Sequence, residues 1–218
     1  MNTLTHQFPL RTHRRGGVLL MPALLAAVLA LAGCGSDDEQ LPAQVAGKAQ
    51  VLETTDADYG RAVITSAVKP AGQGGVSEGT VIRLTQDIAV YRLWSGPAKV
   101  NAAGLTNRIG GWWSYDAPRG TQAQYRSNYE ICNGWNDLTW VAKCTLKAGA
   151  VVVIGPGQSV SAETCGDPTG KESYAANSRD WQLYIDKPWT RPTELVCPDA
   201  AQDYEADPND ISKAKSAS

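Results

Sequence analysis

The chain has 218 residues, 43% hydrophobic and 19% charged, enough for one medium domain with its own core. A net charge of −2 with no basic run excludes the electrostatic footprint of a nucleic-acid binder. The rare residues exclude more. Both histidines (His6, His13), both methionines (Met1, Met21) and the single phenylalanine (Phe8) precede residue 34, so a chain processed there keeps none of the three. A Ser-His-Asp or Cys-His engine and a His-ligated catalytic zinc then become impossible. Loss of Arg11, Arg14 and Arg15 with that segment leaves 17 basic residues against 22 acidic ones, a net charge of −5.

In chain order, residues 1–33 predict a secretory signal. The three arginines form a positive n-region, and Val18 to Leu31 is an apolar run too short to span a bilayer comfortably. The run closes on Leu31-Ala32-Gly33-Cys34, which resembles the lipobox of bacterial lipoproteins. That resemblance implies cleavage before Cys34, acyl chains attached to that cysteine, and a membrane partner reached through the lipid anchor. It places the protein in the bacterial cell envelope, and Gly35 after the cysteine favours the outer membrane. Residues 34–47 are polar, with Pro and Gly, and predict a tether between the acylated cysteine and a single globular domain over 48–198. Residues 199–218 are acidic, then small and polar, and predict a disordered tail.

Within the domain, 49–55 and 61–68 predict two modest strands, followed by a flexible Gly-rich stretch from Pro70 to Gly79. Val81–Leu84 and Ile88–Trp94 are strong strand candidates, rich in β-branched and aromatic residues. Gly111–Tyr115 predicts a short aromatic strand. The Pro-first pattern at Ala117-Pro118 predicts one short helix running to Ile131. Thr139–Leu146 alternates as a strand, and the turn Lys147–Ala150 leads into the apolar run Val151–Ile154, predicting a hairpin stopped by Gly155-Pro156-Gly157. Trp181–Ile185 is the last strand. This pattern predicts an α+β, mainly β domain of small mixed or antiparallel sheets with one or two short helices. Four cysteines, Cys132, Cys144, Cys165 and Cys197, predict two disulfides in an exported chain. Three pairings are open, and Cys132–Cys144 with Cys165–Cys197 is the one expected. No C-x-x-C pair is present to bind a metal instead.

Chemistry without histidine must come from carboxylates, Lys, Tyr, or positioning and electrostatics alone. Two polar residues interrupt apolar strands: Arg92 within Ile88–Trp94, and Gln182 between Trp181 and Leu183. A guanidinium in such a strand is costly unless it is paired or faces a cleft. The order Tyr91-Arg92, Gly110-Gly111-Trp112-Trp113-Ser114, helix, hairpin, Trp181-Gln182-Leu183-Tyr184-Ile185 resembles the ADP-ribosyltransferase superfold, in particular the small NAD glycohydrolase toxins of the tuberculosis necrotizing toxin type. The resemblance covers about Ile88 to Asp186. It implies an ADP-ribosyltransferase-like core, NAD as substrate rather than cofactor, Arg92 holding the dinucleotide phosphates, and Gln182 serving the reacting ribose. It also implies a substrate-binding role for Tyr91, with Trp113, Ser114 and Tyr115 walling the nicotinamide. The chain departs from that pattern in having no E-x-E near the last strand, and Gln158 competes with Gln182 for the family's Gln position.

Two other classes fit the sequence. All seven tryptophans fall between Trp94 and Trp189, and exposed indoles stack on sugar faces, so Asp116, Glu130, Asp137 and Glu163 are candidate carboxylates for glycoside hydrolysis. Trp135 sits in Cys132–Asp137, which reads as a disulfide-held loop displaying its indole. A non-catalytic envelope or interaction lipoprotein requires none of this chemistry.

Overall fold

A computed structural model describes residues 41–216. The signal segment, Cys34 and the first part of the expected tether lie outside the described residues. The apolar strand candidates sort into two sheets because their two faces have different neighbours. The first sheet has the order β1 (Ala49–Val51), β2 (Thr80–Leu84), β6 (Val151–Gly157), β7 (Asn177–Tyr184), β4 (Trp112–Trp113). The second runs β10 (Asp210–Ala214), β9 (Tyr204–Asp207), β5 (Trp140–Leu146), β3 (Ile88–Trp94), with β8 (Leu195–Val196) also paired to β5. Pairing within both sheets is antiparallel.

The chain changes sheet at two adjacent corners, from β2 to β3 and from β5 to β6. The corners are locked together where the Leu84 amide donates to the Ala150 carbonyl and the Gly149 amide to the Leu84 carbonyl, and where Asp87 accepts from the Ala148 amide and pairs with Lys147. The hairpin expected over Trp140–Ile154 is therefore corrected. β5 pairs with β3 and β6 pairs with β2 and β7, so the two runs lie in different sheets. The physical reason is the composition of β6. All seven of its residues are buried, and a strand apolar on both faces needs cover on both sides. For the same reason β6 runs on through Gly155-Pro156-Gly157 to a register shift rather than stopping there.

Ile82, Leu84, Val152, Ile154 and Leu183 of the first sheet meet Ile88, Val90, Cys144 and Leu146 of the second in the main core. The outer face of β2 and β6 (Val81, Val151, Val153) is covered by the segment carrying Ala62 and Ala67. That segment was expected as a strand over 61–68. It is instead a 3-10 turn (Tyr59–Ala62) and one helical turn, α1 (Ile64–Ala67), broken by Val63 at φ 50°. The helix expected from Pro118 starts later, as α2 (Gln122–Asn128). Thr121 and Gln124 form a reciprocal capping box there, which outweighs the Pro signal. α2 packs Tyr125 and Tyr129 on the far face of the second sheet with Leu93, Val141 and Ile211.

Two further expectations change. Leu41 and Val45 are buried in the main core, so the described part of the expected tether belongs to the domain. Residues 204–214, within the expected disordered tail, form β9 and β10. Ile211 is fully buried, and Asp203 is ion-paired to Arg108 just upstream. Both disulfides form, but between Cys132 and Cys165 and between Cys144 and Cys197. The expected pairing fails because Cys144 faces the core from β5. The β8 pairing at Thr145 and Leu146 then delivers Cys197 to it, while Cys165 at the end of α3 (Ala162–Cys165) meets the Cys132 loop.

Candidate functional site

β4 is the seam between the sheets. Trp112 and Trp113 pair with β7, and Ser114, the next residue, exchanges two backbone hydrogen bonds with Tyr91 of β3. Arg92 follows Tyr91, and Gln182 lies beside this seam on β7, so the pleat brings together the two polar residues that interrupt apolar strands. Both line one cavity of about 140 Å³.

The walls are aromatic: Trp112 and Trp113 from the seam, Tyr125 and Tyr129 from α2, and Trp135 from the loop held by Cys132–Cys165. Trp135 is 46% exposed, so it stands at the mouth. The volume matches that of a cavity able to accept one benzene-sized ring.

The Arg92 guanidinium donates from Nε to the Asn107 carbonyl (3.1 Å) and from Nη1 to the Trp112 carbonyl (2.7 Å). It has no carboxylate partner among the described residues. Desolvation therefore pushes its pKa down to about 10, and it remains a cation at neutral pH. Gly110 leaves room for it here: a Cβ at 110 would lie 2.5 Å from Nη2 and displace the guanidinium.

Gln182 uses both amide hydrogens, donating to Glu130 Oε2 (2.8 Å) and the Tyr129 carbonyl (3.3 Å). Its carbonyl oxygen is what remains to offer a ligand. Glu130 follows α2 with φ 47° and is 1% exposed. It is accommodated only because residue 157 is glycine; a Cβ there would lie 2.1 Å from Oε2. Burial pushes its carboxyl pKa up to about 9, with Asp180 adding to the rise and the hydrogen bonds from Gln182 and the Asn177 backbone opposing it. At neutral pH the cavity therefore carries one cation, Arg92, and a neutral carboxyl. That balance favours an anionic ligand.

Of the residues expected at the site, Arg92, Gln182 and Trp113 line the cavity. Ser114 stands behind the wall, its hydroxyl 2.9 Å from the Tyr129 hydroxyl. Tyr115 is buried in the main core, and Tyr91 lies under Lys143 instead of in the lining. Gln158 is occupied locally, donating to the Lys69 carbonyl and accepting from the Ser159 amide and hydroxyl. Among the four candidate carboxylates, only Glu130 lines the cavity. Asp116 accepts from Gln44, Asp137 pairs with Lys99, and Glu163 lies in the first turn of α3. Tyr125 and Tyr129 were not singled out in the sequence, and Trp112 entered only as part of the Gly110–Ser114 motif, without a binding role. Their signal would have been the i, i+4 tyrosine pair on a capped helix and the tandem tryptophans. Among the described residues no group of His, Cys, Asp and Glu is placed to hold a metal ion.

Comparison with known protein families, with curated proteins and with solved structures finds no match to this chain in any of the three.

Proposed function

We propose that the protein is a lipid-anchored envelope enzyme, tethered through Cys34 at the outer membrane, that hydrolyses the nicotinamide–ribose bond of NAD. The observation that carries this reading is Arg92: a desolvated guanidinium without a carboxylate, meeting Gln182 in a ring-sized aromatic cavity. Such a cation is paid for by a ligand anion, and a pyrophosphate offers the bidentate acceptor that guanidinium matches. The cavity takes the nicotinamide ring between Trp and Tyr faces. Gln182 presents its carbonyl oxygen to a ribose hydroxyl or to the attacking water. The C1′–N bond breaks with its electron pair going to the ring nitrogen, which leaves as neutral nicotinamide. Water then adds to C1′ of an oxocarbenium-like centre and releases its proton to solvent. Because this leaving group is good, positioning and electrostatics supply most of the catalysis, as a site without histidine requires. The absence of E-x-E favours hydrolysis over transfer to a protein.

The sugar-hydrolysing reading loses support because only one of its four carboxylates is at the cavity, whereas that chemistry uses a facing pair. Nicotinamide release from NAD by the purified chain, both disulfides formed, tests the proposal. The expected result is turnover that Arg92→Ala removes. Absence of release from a folded wild type, or equal release by the variant, would overturn it.

A further inference from the structure

Two polar atoms at the seam cavity are left unused by the protein. The first is Arg92 Nη2. Nε and Nη1 donate to the Asn107 and Trp112 carbonyls, whereas Nη2 makes no hydrogen bond among the described residues and keeps accessible surface. The second is Gln182 Oε1, since the amide hydrogens go to Glu130 Oε2 and the Tyr129 carbonyl and the oxygen accepts nothing among the described residues. Arg126 gives the structural contrast. It too meets carbonyls alone, but it uses both Nη groups, on Ile131 and Asn136, and lies outside the cavity lining.

The Arg92 guanidinium is also fixed in advance. Asn107, whose carbonyl receives Nε, is itself tied to Ser95 by two side-chain hydrogen bonds. Trp113 Nε1 donates to the Gly110 carbonyl (2.6 Å), which seats the side-chain-free residue 110 against the guanidinium. A donor held in place before binding loses little freedom when an acceptor arrives.

A single space of about 140 Å³ therefore offers aromatic faces to one ring and the two N–H groups of Nη2 to an anion. The remaining polar atoms fix the orientation. Gln182 Oε1 is an acceptor, so it repels an anion and suits the positive edge of an aromatic ring. Glu130 turns Oε2 to the Gln182 amide, and its Oε1 is sealed. An anionic group on the ring has one partner, Arg92.

We propose that the cavity binds monocyclic aromatic carboxylates, with the ring between the Trp and Tyr faces and the carboxylate on Arg92 Nη2. Such acids occupy the walls and the cation that the NAD reading assigns to nicotinamide and phosphate, so they compete with NAD. Their binding rests on the cavity and Arg92, and requires no bond cleavage.

The test is calorimetric titration of the wild-type chain, both disulfides formed, with benzoate and three relatives that each remove one feature. Benzamide lacks the charge, cyclohexanecarboxylate the aromatic faces, and acetate the ring. Benzoate should bind one-to-one with a Kd of about 1 mM or tighter. Benzamide and acetate should bind at least about tenfold more weakly, and cyclohexanecarboxylate about threefold. Arg92→Ala should abolish the preference for benzoate over benzamide, and the wild-type series stands even if that variant fails to fold. Any relative binding as tightly as benzoate, or no benzoate binding to the folded wild type, would overturn the proposal.

Nicotinamide release from NAD separates this result from the hydrolase reading. Release without benzoate binding removes the carboxylate site and leaves the hydrolase standing, and benzoate binding without release does the reverse. Where both occur, benzoate should raise the KM for NAD and leave kcat unchanged. A lowered kcat at unchanged KM would place benzoate outside the cavity and overturn the proposal.

Discussion

Arg92 and Arg108 are both guanidiniums held inside the same domain, and their surroundings are opposite. Arg108 makes a fork onto Asp203, Nε to Oδ2 at 2.6 Å and Nη2 to Oδ1 at 2.8 Å, with Nη2 also donating to the Pro198 carbonyl. The Asp203 hydrogen bond holds its pKa above the usual value, and the pair ties the C-terminal strands to the segment before β4. Arg92 has carbonyls only, and desolvation lowers its pKa. A carbonyl orients a guanidinium without neutralising it. Burial of an arginine therefore says little by itself; the missing counter-charge beside a cavity is what separates a ligand-facing cation from a structural one.

Arg108→Ala leaves Asp203, whose side chain is 1% exposed, as an uncompensated carboxylate. It should lower the unfolding free energy by about 3–5 kcal/mol in urea titrations. If the folded variant retains full stability, the fork is not the anchor described here.

Glu130 gives the next effect. Its folded pKa lies near 9 against 4.5 for the free group, so between these values the folded state binds the extra proton. Stability is then fullest below about pH 4.5 and is lost as pH rises toward 9, on the order of a few kcal/mol. No histidine occurs among residues 41–216, which keeps this window free of imidazole titration. Denaturation midpoints measured from pH 5 to 9 should fall steadily in wild type and stay level in Glu130→Gln. Parallel profiles would remove Glu130 as the source.

Arg92→Ala should reduce kcat/KM for NAD about 100-fold, the size of a lost charge-assisted hydrogen-bonded pair. Arg92→Lys should recover only part of the loss, because an ammonium cannot match a bidentate acceptor. Full rescue by Lys would reduce Arg92 to a point charge. Trp135→Ala should weaken substrate about tenfold through lost ring contact, whereas Tyr91→Ala, outside the cavity lining, should change it less than twofold. The reverse ranking in steady-state kinetics would shift the site toward Tyr91, where the sequence resemblance put a binding residue.

The residues that could be read from sequence were those with a strong local pattern. Ile88–Trp94 is rich in β-branched and aromatic residues, Thr139–Leu146 alternates, and both runs form strands. Arg92 and Gln182 stood out because a polar side chain interrupts an apolar strand, and both line the cavity. Glu130 carried no local signal of its role, since what makes it special is a left-handed backbone angle and the absence of a side chain 27 positions away at Gly157. The sheet change at Lys147–Ala150 was equally hidden. A short turn between two apolar runs looks like a hairpin until the all-round burial of β6 demands two covers. The C-terminal strands escaped notice because one buried residue, Ile211, and one ion pair hold a stretch that is otherwise polar. The disulfides followed the same rule: their pairing depends on β8 docking against β5, a long-range event that cysteine spacing does not encode.

Titration calorimetry of the chain with ADP-ribose, wild type against Arg92→Ala, needs no turnover and reads the contact between Arg92 and the ligand phosphates by itself. One-to-one binding should weaken as salt is raised and disappear in Arg92→Ala, while the Arg108 fork stays intact in both proteins. Binding of equal strength in the variant, or no binding to the folded wild type, would contradict that contact.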